Sequence, residues 1–401
     1  MATPVKLALV GCGWISRQHI NGYKDLISRG CREFDISACC DPVEERARQK
    51  AAEIAEFQGH TPAVVTSVPD LIAADIAEAA DVCVPHYCHH SVAAELLKAG
   101  IHTMVEKPVG ITVRATKAII EAAAKADRVL AAAENIRRYN TARACAWALR
   151  DQQLIGDVKL VNIQSINHQI FDFENPAFKW RGIKLLTGGG MIMDSGAHFA
   201  DMIKLLFGKV ADVYCTFDVS DTRMIADAPV LRVSPADVED TWHAVIRFES
   251  GLHVTWTYSR SLHGPAVSVG NYYGSDGTMT DLGFVFHPFQ RGGQIVKPDG
   301  SVISNDNIVA QYMESLDSDA QEYLFPYGST DGFAIEVYDF IRAIRTGVKP
   351  EMDGEDALRA KTLCEACYES AVAGTFVAYD DVLNGDVDAY QRPIDAYWKL
   401  R

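Results

Sequence analysis

The first 135 residues alternate short apolar runs with stretches of helical spacing. Val5–Val10 is apolar except for Lys6, is too short for a helix and runs into Gly11. That is the pattern of a strand buried on both faces. Beyond Trp14, the residues Ile15, Tyr23, Leu26 and Ile27 fall on one helical face. The alternation predicts further strands over 36–40, 63–67, 80–84, 102–105 and 129–133, with helices over 43–57, 91–99 and 112–126. Gly100 stops one of these helices and Thr112 suits the N-cap of the next. Six strands alternating with helices predict an α/β domain built on a doubly wound parallel sheet, wound right-handed.

After about Tyr139 the pattern changes. One more helix runs to Arg150, and then longer segments of period two follow at 158–166, 210–217, 241–248 and 252–258. Glu249-Ser250-Gly251 turns the third into the fourth. These read as an open, mainly antiparallel sheet, buried on one face. Two late helices are expected over 333–346 and 354–374, and long loops or insertions over 221–237 and 287–330. The expected division is residues 1–138 and 139–401.

Composition narrows the class. The chain has 401 residues with 48% hydrophobic and 23% charged positions, the balance of a folded globular protein. Its 53 acidic against 38 basic residues give a net charge of −15, which disfavours nucleic acid and anionic membranes as partners. Of ten cysteines, Cys12, Cys39, Cys40 and Cys83 lie in or beside apolar runs, where free thiols pack as small hydrophobes. Cys364-x-x-Cys367 falls in a helical pattern and suggests no redox role. No apolar run approaches the length of a membrane span and no signal-peptide pattern opens the chain, so a cytoplasmic location is expected.

The chemistry begins at Gly11-Cys12-Gly13-Trp14-Ile15-Ser16, between the first strand and the first helix. A Gly-x-Gly turn there lets the backbone approach a pyrophosphate, and the helix N-terminus stabilises its charge. Ser16 stands where a third glycine or alanine is usual. Asp41 closes the second strand, where a carboxylate accepts hydrogen bonds from the adenosine ribose and repels a 2′-phosphate. The expected domain is therefore a Rossmann domain that takes NAD, with NADP less favoured; Asp41 could equally cap the helix after Pro42.

Two further segments carry candidate catalysts. Glu106-Lys107-Pro108 ends the fifth strand, at the sheet edge where ligands bind, so Lys107 can project an ammonium beside a nicotinamide. Gly188-Gly189-Gly190 leads to Asp194 and His198. Their spacing of four puts both on one helix face, where a carboxylate can orient an imidazole acting as general base. Each segment has an ordinary alternative, a solvated lysine in the first and a capping aspartate with a core histidine in the second.

Taken together, Gly-x-Gly with Trp14, Pro85-x-x-x-His89, Glu106-Lys107-Pro108 and Gly-Gly-Gly…Asp194-x-Gly-x-His198 resemble the glucose–fructose oxidoreductase/inositol dehydrogenase (Gfo/Idh/MocA) family. The resemblance continues through Val238-Glu239-Asp240-Thr241 to Glu369-Ser370. It implies a Rossmann domain followed by an α/β domain with a large open sheet, whose outer face makes a homodimer or homotetramer. It implies oxidation or reduction of a secondary hydroxyl of a sugar, glycoside or cyclic polyol with NAD(P). The catalytic roles fall on Lys107, Asp194 and His198. Cofactor contacts fall on Gly11, Gly13, Trp14, Ile15, Asp41, Pro85, His86, His89, Glu106, Lys107 and Asn135. Substrate contacts fall on Lys107, Tyr139, His168, Trp180, Arg181, Asp194 and His198. The run His86, Cys88, His89, His90 is read as cofactor-facing, and no metal is expected. The alternatives are an NAD-dependent glycosidase on the same fold and a non-catalytic NAD-binding sensor. The presence of both Lys107 and His198 argues against the sensor.

Overall fold

The structure is a computed structural model that describes residues 3–400. The chain forms two compact units. One takes the chain up to Ile111 together with Ala115–Arg138 and Ser318–Leu358; the other takes Thr112–Arg114, Tyr139–Asp317 and Arg359 onward. The segment 318–358, placed by sequence in the second domain, thus belongs to the first unit.

In the first unit, β1 (Val5–Val10), β2 (Phe34–Cys40), β3 (Ala63–Val65), β4 (Ala79–Val82), β5 (His102–Glu106) and β6 (Leu130–Ala133) alternate with α1 (Ser16–Ser28), α2 (Glu44–Gln58), α3 (Val68–Ala74), α4 (His86–Lys98) and α5 (Val113–Ala126). The strands are all parallel, in the order β3-β2-β1-β4-β5-β6. Every residue of β4 and β6 is buried, as a sheet covered on both faces requires. The order reverses between β1 and β4, the switch point where such sheets bind ligands. The ends of β1, β2, β4 and β5 therefore bring Gly11, Asp41, Cys83 and Glu106 to one sheet edge.

Helix α4 starts at His86, earlier than the predicted position 91. Pro85 supplies its N-cap backbone, and the polar run His86–His90 hides the helical period from sequence. The returning helix Gly332–Thr346 adds Ala334, Val337, Phe340 and Ile341 to a core shared with Leu7, Leu9, Ile20, Tyr23 and Leu26. A Cβ on Gly22 would lie 2.9 Å from the backbone of Phe333 and Ala334. Glycine there lets the returning helix seat directly on α1.

The second unit opens with α6 (Asn140–Ala146) and β7 (Val158–Ile166), followed by β8 (Val210–Asp218), β9 (Met224–Ala226), β10 (Val233–Pro235), β11 (Thr241–Phe248), β12 (His253–Ser259), β13 (Val267–Gly274), β14 (Gly277–Asp281), β15 (Gly293–Val296), β16 (Val302–Ile303) and β17 (Val377–Ala378). Nine of these make one sheet, β16-β15-β14-β13-β7-β12-β11-β8-β17. It is antiparallel except where β12 runs parallel to β7. Val161, Ile163, Ala244, Ile246, Val254 and Trp256 are buried, while alternate residues such as Leu160, Asn162 and His243 are exposed. The predicted insertions are partly ordered: 221–237 carries the β9–β10 hairpin, and 287–330 carries β15, β16 and the helices Asn305–Ser315 and Ser318–Leu324.

Candidate active site

The cofactor residues lie in the first unit. Gly11 has φ +94°, and a Cβ on it would lie 2.6 Å from the carbonyl oxygen of Cys83, so the turn admits only glycine there. A Cβ on Gly13 would meet no atom within 4 Å. That open face is what a pyrophosphate laid against the turn needs. No side chain caps the N-terminus of α1, and its first turn holds no acidic residue, so its partial positive charge remains for an anion. Trp14 is 67% exposed beside the turn. The residues present fit a dinucleotide.

Asp41 is tied into this turn. Its Oδ2 accepts the Cys12 N–H at 2.9 Å and its Oδ1 accepts the Val43 N–H at 2.8 Å. The helix α2 after it is capped at Val43 without a side-chain bond, so Asp41 braces the glycine turn rather than capping that helix. Each carboxylate oxygen keeps a second lone pair for a ribose hydroxyl.

Glu106, Lys107 and His89 are positioned from below. His19 in α1 is fully buried, with Nδ1 2.9 Å from Asp81 and Nε2 3.1 Å from Glu106. Tyr23 donates to the same Asp81 at 3.0 Å. Burial alone would lower the His19 pKa, but the charges and hydrogen bonds of Asp81 and Cys83 together outweigh it and hold the imidazole well above its ordinary value. His19, Asp81 and Cys83 together resemble a metal-ligand group. Both ring nitrogens of His19 are already spent on carboxylates, so the group reads as an ion network that pins the end of β5. His89 is also fully buried, with Nδ1 2.8 Å from the Pro108 carbonyl and Nε2 2.8 Å from that of Val84. It supports the Lys107–Pro108 turn. Pro85 begins α4, His86 and Asn135 are buried, and Lys107 is half-buried at the end of β5.

The other candidates lie in the second unit. His198 occupies the first turn of helix Gly196–Phe207 and is 6% exposed. Asp194 does not share that helix. It sits in the preceding turn, where the Gly190 carbonyl accepts the N–H groups of Met193 and Asp194 and the Met191 carbonyl accepts that of Gly196. The expectation of two residues on one helix face is thus replaced by a turn and a helix start. A Cβ on Gly196 would lie 2.8 Å from the Trp256 ring, so the helix begins flush on that indole.

Asp194 is ion-paired with Arg181. The Arg181 guanidinium lies 4.8 Å over the Trp180 ring, and Trp180 is 8% exposed. One face of the indole expected to line a sugar pocket is therefore occupied by Arg181. His198 packs edge-on against His287, with ring centroids 5.2 Å apart. His287 escaped the sequence reading because it opens a segment without periodicity. His168 is exposed and stacks on His263 at 3.8 Å, and Tyr139 is the N-cap of α6.

The glycine run itself rests on Glu239 and Tyr368. Glu239 is fully buried and receives the N–H groups of Gly190 (2.7 Å) and Ile192 (2.9 Å) and the Tyr368 hydroxyl (2.9 Å). Sequence had placed Glu239 in a matching motif without a role; it is one acid of an acidic run just before β11, which gave no signal to single it out.

Residues 5–134 match the model of an oxidoreductase family with an NAD-binding Rossmann fold, and residues 145–280 match the GFO/IDH/MocA C-terminal domain. Among curated proteins, the chain is 24% identical to the levoglucosan dehydrogenase of Pseudarthrobacter phenanthrenivorans, over 74% of this chain and 78% of that one. It is 24% identical to the D-apiose dehydrogenase of Paraburkholderia graminis, over 93% and 89%. The WlbA dehydrogenase of Bordetella pertussis, solved with NADH and UDP-GlcNAcA, shares the fold at a TM-score of 0.70 and 22% identity, over 94% of this chain and 99% of that one.

Proposed function

The chain belongs to the Gfo/Idh/MocA oxidoreductase family, and from that premise we propose that it oxidises, or reversibly reduces, a secondary hydroxyl of a pyranose sugar, glycoside or cyclic polyol with NAD. One observation carries the reading: an NAD-binding Rossmann unit with Lys107 at the end of β5 accompanies a second unit that presents His198 at a helix start beside Asp194. The dehydrogenases named above support the substrate class.

Bound NAD supplies the hydride acceptor. In the proposed reaction His198 accepts the hydroxyl proton as the carbon is oxidised. Lys107 donates a hydrogen bond to the same oxygen and stabilises its developing negative charge. Asp194, held by Arg181, binds a neighbouring hydroxyl or orients the imidazole. The Gly11–Gly13 turn, Trp14, Ile15 and Asp41 hold the nucleotide, with NAD preferred over NADP by the Asp41 charge. A screen of inositols, aldoses, uronates and glycosides tests this, following NADH absorbance and release of free sugar together. NADH formation without sugar release is expected; sugar release with no net NADH would replace the dehydrogenase by a glycosidase.

The same reading proposes a homodimer or homotetramer through the sheet of the second unit, whose outer face exposes Leu160, Val269 and Tyr273. Light scattering at micromolar concentration reads it directly, and a monomer would reject it. No helix among the described residues is long and apolar enough to cross a membrane, and a cytoplasmic location is proposed.

A further inference from the structure

The turn that carries Asp194 and leads into His198 is held by one buried carboxylate. Glu239 receives three donors and meets them as an acceptor only: Gly190 N–H on Oε2, and Ile192 N–H with Tyr368 O–H on Oε1. A Cβ on Gly189 would lie 2.1 Å from the Tyr368 hydroxyl oxygen, and one on Gly190 2.6 Å from the Glu239 carbonyl oxygen. The glycine run therefore lies flush on the Glu239–Tyr368 pair, with no room for a side chain between. An ionised carboxylate satisfies all three donors. A protonated one turns an O–H toward a donor, so either an N–H is left unmatched or the buried Tyr368 hydroxyl must swing its own proton away; both are costly.

We propose that Glu239 is a positioning residue: its carboxylate locks the 188–194 turn in the form that presents Asp194 and His198, and its protonation loosens that turn. This rests on the reading of His198 and Asp194 as catalytic. The ionisable groups facing Glu239 come from several elements. Helix Gly354–Ala373 contributes Tyr368, Cys364 and Cys367, β12 contributes Tyr258, and Tyr390 faces it from the C-terminal segment. Asp240 follows it in the chain, and Glu365 on the same helix is paired with Lys361 at 2.8 Å. With the Lys361 charge engaged there, burial dominates and pushes the Glu239 carboxyl up to about 7. The sign follows. Because the folded value is raised, this group's contribution to stability is full at acid pH and is lost as pH rises through about 7. Order of the turn runs the other way, rising as the carboxylate forms.

The test compares the wild-type chain with Glu239→Gln, which mimics the protonated carboxyl at every pH. Hydrogen exchange of the 188–194 peptide, corrected for intrinsic rates, is followed from pH 5.5 to 8.5 alongside kcat on a substrate found by the screen. Wild-type protection and kcat are expected to fall together as pH drops through about 7. In E239Q the exchange of the turn is expected to sit flat at its low-pH level, and kcat to lie at least about tenfold down at pH 8.5, with NAD affinity unchanged. A general base brings its own acid limb to kcat in both chains, so the exchange profile decides: a turn in E239Q as protected as the wild type, or a kcat at pH 8.5 equal to wild type, would overturn the proposal. Tyr368→Phe removes one donor to the carboxylate and should move the exchange limb to higher pH even if E239Q folds poorly; an unmoved limb counts against the proposal. A chain that turns over nothing on the panel yet shows the exchange switch would overturn the dehydrogenase reading while supporting the hold of Glu239 on the turn.

Discussion

The two glycine turns of this protein use the same residue for opposite reasons. At Gly11–Gly13 the backbone takes a left-handed conformation at Gly11, and the space in front of Gly13 is empty. At Gly188–Gly190 the left-handed residue is Gly188, which ends a short helix, while Gly189 and Gly190 are small because Tyr368 and Glu239 press on them. One turn leaves room for something outside the protein. The other leaves room for the protein itself. Each is braced by a carboxylate that accepts its N–H groups: Asp41 takes Cys12, and Glu239 takes Gly190 and Ile192. The comparison teaches that a glycine run marks close approach, and that only the neighbouring atoms say whether a ligand or a side chain does the approaching.

The largest expected effect separates the two turns by function. Lys107→Ala and His198→Ala should each lower kcat by on the order of 10²–10⁴, with the double variant far short of multiplicative. NAD affinity, titrated by fluorescence, should stay near wild type, since the first turn holds the nucleotide. A well-folded His198→Ala with near-native kcat would reject the assignment.

Next come the glycines. Gly190→Ala forces a methyl group against the Glu239 backbone, an overpacking cost of about 1–3 kcal/mol. Thermal melting should show that loss, with kcat reduced and NAD affinity kept. Gly13→Ala meets no protein atom, so its melting temperature should be unchanged while NAD binding weakens about tenfold, or ~1.4 kcal/mol. The reverse outcome, a destabilised G13A with normal NAD binding, would break the comparison.

Asp41→Asn should act on both stability and cofactor choice. It turns an amide N–H₂ toward one of two backbone donors, for a stability loss of about 1–3 kcal/mol by denaturant titration. The NAD preference over NADP, about tenfold in the intact chain, should shrink toward parity. Equal binding of the two nucleotides already in the wild type would show that Asp41 only braces the turn. The smallest effect is Trp14→Phe at a 67% exposed position, within about 0.5 kcal/mol in stability. It should remove most of the fluorescence change on adding NAD, because the other five tryptophans, Trp147, Trp180, Trp242, Trp256 and Trp398, all belong to the second unit.

Much of this was legible in the chain. β1, the Gly11–Gly13 turn and Asp41 lie close together in sequence, and a buried strand followed by glycine has few other readings. The four long strands of the second unit announced themselves by period two. The strands β13 to β16 did not stand out, being interrupted by Gly270, Gly274 and Gly277 or only two to four residues long. The helix Gly332–Thr346 was predicted as a helix but assigned to the wrong unit, since its apolar stripe does not say which core it fills. Asp194 and Arg181 were each singled out, but neither their pairing nor the histidine beside His198 was, because each contact joins distant positions.

Periodicity, turn residues and motif spacing act over a few neighbouring residues, so the sequence by itself determined the alternating elements and the nucleotide turn and offered Lys107, Asp194 and His198 as candidates. What holds those residues is set by groups far apart in the chain, 87 positions for Glu106 on His19 and more than a hundred for Gly189 against Tyr368. Burial and pairing then shift their ionisation: burial raises Glu239 to about 7, while the pairing of His19 with Asp81 and Cys83 holds its imidazole above its ordinary value. Desolvation and buried pairing depend on which atoms surround a group in three dimensions. Only the tertiary structure supplies that.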